Sequence, residues 1–224
     1  MRVPTFFYIK TMVKYSLIIK IGDKMCCLYG FYKIVRGNRE DRMKKEYNLP
    51  IETERLIIRK WREEDFQSYN FLCQESIRGH FFDGWAMEED DAKNFFHWQL
   101  SKYENMDPIG DIIGLAIIEK STGKIVGHGG IGKHDDVDET EIFYGIVKAY
   151  RGKGYATEAS RGITSWALDT FSIPYIIGTV GLDNIESQKV LERSGYNFIE
   201  EQNHNVSVLE KSFDFKYYRC YGSK

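Results

Sequence analysis

Val147-Lys148-Ala149-Tyr150-Arg151-Gly152-Lys153-Gly154-Tyr155-Ala156-Thr157-Glu158-Ala159 is the stretch on which the reading of this 224-residue chain turns. Gly152 and Gly154 lack a β-carbon, so the main chain can turn tightly there and approach a bulky ligand closely. Before the stretch lies a strand-like segment, Glu141 to Val147; after it a helix-like one runs from Tyr155 to about Phe171, where Pro174 bars continuation. A helix that starts at such a turn opens with N–H groups lacking an intrahelical acceptor, at the positive end of its dipole. An anion such as a diphosphate is favoured at that place. Arg151 and Lys153 add positive charge beside it.

Spacing separates this turn from two other phosphate motifs. A Walker A loop needs G-x-x-x-x-G-K-[ST]; here Gly152-Lys153 is followed by Gly154, and Val147 occupies the place of the first glycine, so the pattern fails. A dinucleotide fingerprint G-x-G-x-x-G would need glycine where Thr157 stands. The pattern that fits at every position is [QR]-x-x-G-x-[GA], as Arg151, Gly154 and Ala156.

Outward from the turn the signals are regular. Upstream, Glu54 to Trp61 reads as a strand, and Glu63-Glu64-Asp65 opens a helix running to about Gln74. A loop containing Gly79 and Gly84 follows, then a helix from about Glu88 to Tyr103 with Ala92, Phe95, Phe96 and Gln99 at helical spacing. Ile112–Glu119, Ile125–Ile131 and Glu141–Val147 read as strands, the first two joined by a turn at Ser121-Thr122-Gly123-Lys124 and the last two by a polar loop, Lys133 to Glu139. Downstream come a strand Tyr175–Val180, a helix Asn184–Ser194 stopped by Gly195, and strands near Phe198–Gln202 and Phe213–Cys220. The order βααβββαβαββ predicts an α/β fold, one sheet with helices on both faces.

Charge divides the chain. Residues 1–42 carry nine Lys/Arg and three Asp/Glu, a balance of +6, whereas residues 43–224 carry 22 and 30, a balance of −8. The acidic body argues against a phosphate-rich polymer, so nucleic acid is not expected as a partner. Two readings of residues 1–42 stand open. One takes Met43 as the true start, with the polar seam Arg36-Gly37-Asn38-Arg39-Glu40-Asp41-Arg42 a translated leader. The other is a β-hairpin, Tyr15–Ile21 and Met25–Val35 around Gly22-Asp23-Lys24. The domain proper is therefore residues 43–224. Cys26, Cys27, Cys73 and Cys220 form no C-x-x-C pair and the five histidines no H-E-x-x-H, so neither a disulfide framework nor a metal is expected. No run of about 20 apolar residues spans a bilayer, and recurrent lysines break any signal peptide; a cytoplasmic protein without a membrane partner is the expectation.

The whole run Tyr150 to Ala159 resembles the GNAT acyltransferase superfamily, in its branch related to the ribosomal-protein N-terminal acetyltransferases of RimJ/RimL type. Val180-Gly181-Leu182-Asp183-Asn184-Ile185-Glu186-Ser187, the run Val190 to Tyr196 and the opening Thr53-Glu54-Arg55-Leu56-Ile57-Ile58-Arg59 carry the same resemblance, which covers roughly residues 53–220. It implies a mixed, mostly antiparallel central sheet and acetyl-CoA as co-substrate. It also implies that the strand before the turn splays from its neighbour. Backbone groups near Ile146 and Val147 would then meet the pantetheine arm, N–H groups of Arg151, Gly152, Lys153, Gly154, Tyr155 and Ala156 would hold the diphosphate, and Asn184 and Ser187 would approach the arm and its thiol. Asn184 also reads as a plain helix N-cap, and the two roles are compatible.

Acetyl transfer to an amine needs a neutral amine, donors for the oxyanion and a proton for the departing thiolate. No covalent intermediate is required, so no cysteine is nominated. Glu141 is the base candidate, alternating onto one face with Phe143, Gly145 and Val147. An exposed strand-end carboxylate, or one that binds a cationic substrate, is the competing reading. Where many family members carry a tyrosine seven residues beyond Asn184, this chain has Leu191; Ser187 takes its place as the candidate to position or protonate the thiolate. Tyr144, Tyr150 and Tyr196 are lesser candidates for the acid and read first as packing residues, and His128 between Gly127 and Gly129 reads as packing ahead of catalysis. The acidic run Asp135-Asp136-Val137-Asp138-Glu139 reads as a solvated hairpin tip or as a lure for a cationic amine.

The expected activity is therefore transfer of acetyl from acetyl-CoA to a primary amine, a peptide N-terminus or a small molecule, by direct attack in a ternary complex. The competing class is an acyl-CoA-binding sensor or complex subunit without turnover. Phe81, Phe82 and Trp85, in the loop after the first helix, are candidates for the acceptor cleft or the core. A monomer and a homodimer are both compatible with the sequence.

Overall fold

Two neighbouring, almost wholly buried strands set the centre of the molecule. β3 (Ile112–Glu119) is buried at every position, and β4 (Ile125–His134) at all but its first residue and Lys133. Such strands must be covered on both faces. A computed structural model describes residues 47–80, 89–134, 137–206 and 211–222. The 1–42 extension, Phe81, Phe82, Trp85, Asp135 and Asp136 lie outside the described residues.

Among the described residues the sheet has eight strands in the order β1-β2-β3-β4-β5-β6-β8-β7, with β1 Ile51–Glu52, β2 Leu56–Lys60, β5 Glu139–Ile146, β6 Tyr175–Gly181, β7 Asn197–Val206 and β8 Lys211–Tyr221. Every neighbouring pair is antiparallel except β5 and β6, which are parallel. The helices are α1 (Phe66–His80), α2 (Glu89–Lys102), α3 (Tyr155–Thr170) and α4 (Ile185–Arg193). This is the mixed, mostly antiparallel α/β sheet expected, with a two-residue strand added at its start.

Adjacent glycines show that helices cover both faces. A β-carbon on Gly114 would strike the Gln99 side chain of α2 at 2.2 Å, while one on Gly129, which faces the other way, would meet Ile163 of α3 at 2.9 Å. Helix α2 buries Ala92, Phe95, Phe96 and Gln99, the four positions its periodicity indicates. Trp61, Tyr69 and Phe96 pack ring to ring at 4.9–6.2 Å between α1, α2 and the sheet, so much of the aromatic content serves the core.

Three boundaries differ from expectation. Helix α1 runs through Gly79 to His80 instead of ending near Gln74, because a helix-interior glycine costs only about 1 kcal/mol relative to alanine. β4 continues to His134, and β5 starts at Glu139, so only four residues, 135–138, lie between the two strands. The last two strands form a hairpin longer than their apolar cores, since ladder pairing extends through polar residues such as Asn203 and Asp214. Among the described residues no helix is long and apolar enough to cross a membrane.

Candidate active site

β5 and β6 share a single register pair, Glu141 with Ile177. Beyond it, β5 stays with β4 as far as Gly127–Ile146, while β6 stays with β8 as far as Gly181–Phe215. The two strands therefore part, and the sheet opens between them toward the head of α3. Val147 N–H donates to Val126 O across β4 at 2.9 Å, which by antiparallel alternation turns the backbone groups of Ile146 and Tyr144 toward the split. Of the two residues expected to present backbone to a pantetheine arm, Ile146 faces the opening, and the N–H of Val147 is committed to the neighbouring strand. The Ile146 carbonyl accepts from Arg151 Nε at 2.8 Å.

At the mouth of the split the glycine turn has the geometry an anion needs. Gly152 and Gly154 sit at φ +80° and +82°, a left-handed conformation that side chains with a β-carbon avoid. Gly154 is the N-cap of α3 and brings no side chain to cover the helix end. The first helical bond runs from Glu158 N–H to Gly154 O, so the helix geometry leaves the N–H groups of Tyr155, Ala156 and Thr157 without an intrahelical acceptor. Lys153 Nζ lies 5.1 Å above the Tyr150 ring, and Tyr150 itself packs on the core. Tyr155 contributes its backbone only, because its buried phenol donates to Glu119. Ala156 is half-buried against the core.

Glu141 stands at the vertex of the split and is wholly buried, not at an exposed strand end. Its Oε1 accepts from Thr179 N–H at 2.8 Å and from the Thr179 hydroxyl. The carboxyl thus satisfies a β6 donor that parting from β5 would otherwise orphan. Its Oε2 has no hydrogen-bond partner among the described residues. Burial raises this carboxyl to about 8 against the opposing pull of the two Thr179 hydrogen bonds. The group is neutral at pH 7 and becomes a base just above it.

On the other side of the opening, Asn184 caps α4, its Oδ1 accepting from Ser187 N–H at 3.2 Å. Asn184 and Ser187 are both half-buried, and the Ser187 hydroxyl meets the Tyr144 phenol. Tyr144 reaches across from β5 and donates its hydroxyl to Ser187 O at 3.2 Å, so β5 and α4 are bridged there. Burial pushes the phenols of Tyr144 and Tyr196 well above their usual range; neither is a ready proton donor. Leu191 is buried against Gly178, where a β-carbon would come within 2.7 Å of it. His128 is buried near Phe143, and burial lowers it to about 4, so it is neutral in the core. Among the described residues no group of three or more His, Cys, Asp or Glu is placed to hold a metal.

Two residues of this region carry no signal of their own in the sequence. Thr179 fixes Glu141 from a strand 38 positions away. Arg55 reaches the glycine turn from the bend just before β2, where its Nη1 donates to Lys153 O at 2.9 Å.

Comparison with known proteins bears on the family and the fold. The sequence profile of the acetyltransferase (GNAT) domain matches residues 55–197. The chain is 27% identical over 148 residues to the uncharacterized N-acetyltransferase YnaD of Bacillus subtilis (strain 168), covering 66% of this chain and 82% of that protein. Among solved structures it resembles the ribosomal-protein-S5-alanine acetyltransferase of Vibrio fischeri, at TM-score 0.64 and 14% identity, covering 77% of this chain and 96% of that one. It also resembles the microcin C7 self-immunity acetyltransferase MccE solved with acetyl-CoA and AMP, at TM-score 0.61 and 17% identity, covering 75% and 93%. At these identities the structural likeness concerns the fold.

Proposed function

The chain belongs to the GNAT acetyltransferase family, whose co-substrate is acetyl-CoA, and on that premise we propose that it acetylates a primary amine, a peptide or protein N-terminus or a small amine, by direct attack within a ternary complex. The observation that carries the reading is the split between β5 and β6, with an uncapped helix head at its mouth and Glu141 at its vertex. Acetyl-CoA supplies the activated acetyl group. The chain's own residues do the rest. N–H groups of residues 151–156 and the positive end of α3 hold the diphosphate. Glu141, once ionised, takes the amine's proton directly or through water. Ser187 positions the sulfur end from α4 or passes it a proton through water. Holding both substrates in one cleft contributes much of the acceleration.

The sequence runs Tyr150 to Ala159 and Val180 to Ser187, similar to the ribosomal-protein acetyltransferase branch, motivate placing peptide N-termini first among the amines. Incubating the purified chain with acetyl-CoA and a panel of N-terminal peptides, polyamines and aminoglycosides, while following free thiol, tests the assignment. Release of thiol with at least one amine is expected.

A second reading is favoured by one observation. Leu191 fills the place where a proton-donating tyrosine stands in many relatives, which suits a non-catalytic acyl-CoA-binding subunit. Tight binding of acetyl-CoA with no thiol release from pH 6 to 9.5 would establish that reading and end the first.

A further inference from the structure

Glu158 lies in the first turn of α3, within reach of any anion bound there. A carboxylate so placed repels phosphate, yet it is strongly held. Its Oε1 accepts from Thr53 Oγ1 at 2.6 Å and from Arg55 N–H at 2.7 Å; its Oε2 accepts from Arg55 Nε at 2.7 Å and pairs with Nη2 at 2.6 Å. Burial alone would raise this carboxyl, but the hydrogen bonds from Thr53 and Arg55 outweigh it and hold Glu158 below the ordinary carboxylate range. It is an anion at neutral pH, and Arg55 cancels it.

Arg55 does more than cancel a charge. Its Nη1 donates to Lys153 O, the carbonyl just before the N-cap glycine, and its guanidinium carbon lies 4.9 Å from the centre of the Tyr155 ring. A β-carbon on Gly154 would come within 3.4 Å of Nη2, so the guanidinium sits against the turn itself. A guanidinium has five N–H donors. Three are spent on Glu158 and Lys153, and the other two have no protein acceptor among the described residues, on a side chain that remains 44% exposed.

We propose that Arg55 is a cofactor-binding residue: it neutralises Glu158 at the head of α3, braces the glycine turn through Lys153, and turns its two unspent N–H groups to the diphosphate of acetyl-CoA. The proposal rests on the turn being the diphosphate site. It adds a donor from the bend before β2, 98 positions upstream of Lys153. A planar fork suits two phosphate oxygens at once, and charge-assisted hydrogen bonds are the strong ones.

Calorimetric titration with coenzyme A and with dephospho-coenzyme A, which keeps the diphosphate but lacks the 3′-phosphate, tests it. Arg55→Gln should weaken both ligands alike, by about tenfold or more, the scale of one charge-assisted contact. In steady state the KM for acetyl-CoA should rise by the same factor while kcat stays within about twofold, since the lost contact exists before and during reaction alike. Adding Glu158→Gln to Arg55→Gln should restore part of the affinity by removing the uncancelled carboxylate, a recovery that a purely structural brace would not show. Should Arg55→Gln fail to fold, Arg55→Lys decides instead, keeping the charge but losing the fork, with an expected severalfold loss for both ligands. Unchanged affinity in a folded Arg55→Gln protein, or a loss confined to coenzyme A, overturns the proposal. Wild-type protein that binds neither ligand overturns the diphosphate turn together with it, a separate and recognisable failure.

Discussion

Glu141→Gln keeps the shape of the side chain and the acceptor for Thr179 while removing a titration, so it isolates what the buried charge does. In the folded chain this carboxyl holds its proton up to about 8; in the unfolded chain it releases it near the ordinary value of 4.5. Between those values the native state binds more protons than the unfolded one, so stability falls as pH rises. At roughly 1.4 kcal/mol per pH unit, the cost accumulated from pH 4.5 to 7 is about 3 kcal/mol. The variant is free of it. In urea unfolding at pH 5, 6, 7 and 8, Glu141→Gln should match wild type near pH 5 and exceed it by about 3 kcal/mol at pH 7, levelling off above pH 8. A difference that does not vary with pH would refute the buried, proton-retaining carboxyl. The same variant examines the chemistry. Wild-type kcat/KM should climb along a limb centred near pH 8, and the variant should lose about a hundredfold there, the scale of one general base. The deficit should shrink at higher pH, where the amine arrives already neutral. A uniform loss across pH would show that Glu141 acts through structure and not as a base.

Gly154→Val places a branched side chain at φ +82° and against Arg55, so coenzyme A binding should vanish in calorimetry while far-UV circular dichroism still reports a folded chain. Retained binding would remove the turn from the site. Ser187→Ala should cost about 1 kcal/mol in unfolding free energy, because its half-buried hydroxyl meets only the Tyr144 phenol, and should also lower kcat in the thiol-release assay. Full activity would leave Ser187 without a role. Asn184→Ala should cost about 1 kcal/mol in urea unfolding through loss of the α4 cap, and an additional rise in the KM for acetyl-CoA would mark a second role at the arm.

Local rules were enough to read several parts of this protein from its amino acids. The periodicity of Ala92, Phe95, Phe96 and Gln99 places a helix because those residues share one face over a few turns. Gly152 and Gly154 announce a tight, ligand-ready turn because the need for positive φ is a property of each residue. The cap at Asn184 likewise depends on a partner three positions away. Gly79 misled the local reading, since a single glycine breaks a helix too weakly to end α1.

What the tertiary structure alone decided are the properties made by distant segments meeting. Glu141 is legible as a carboxylate beside a glycine turn, but its burial, its orphaned oxygen and its proton affinity arise when β6 brings Thr179 beside it and then parts from β5. Arg55 is one arginine ahead of a strand until folding lays it on Lys153 and Glu158. Steric and helical preferences act over a few residues and are written in the chain. Desolvation and charge pairing depend on everything that surrounds a group, and those surroundings exist only after the sheet has assembled.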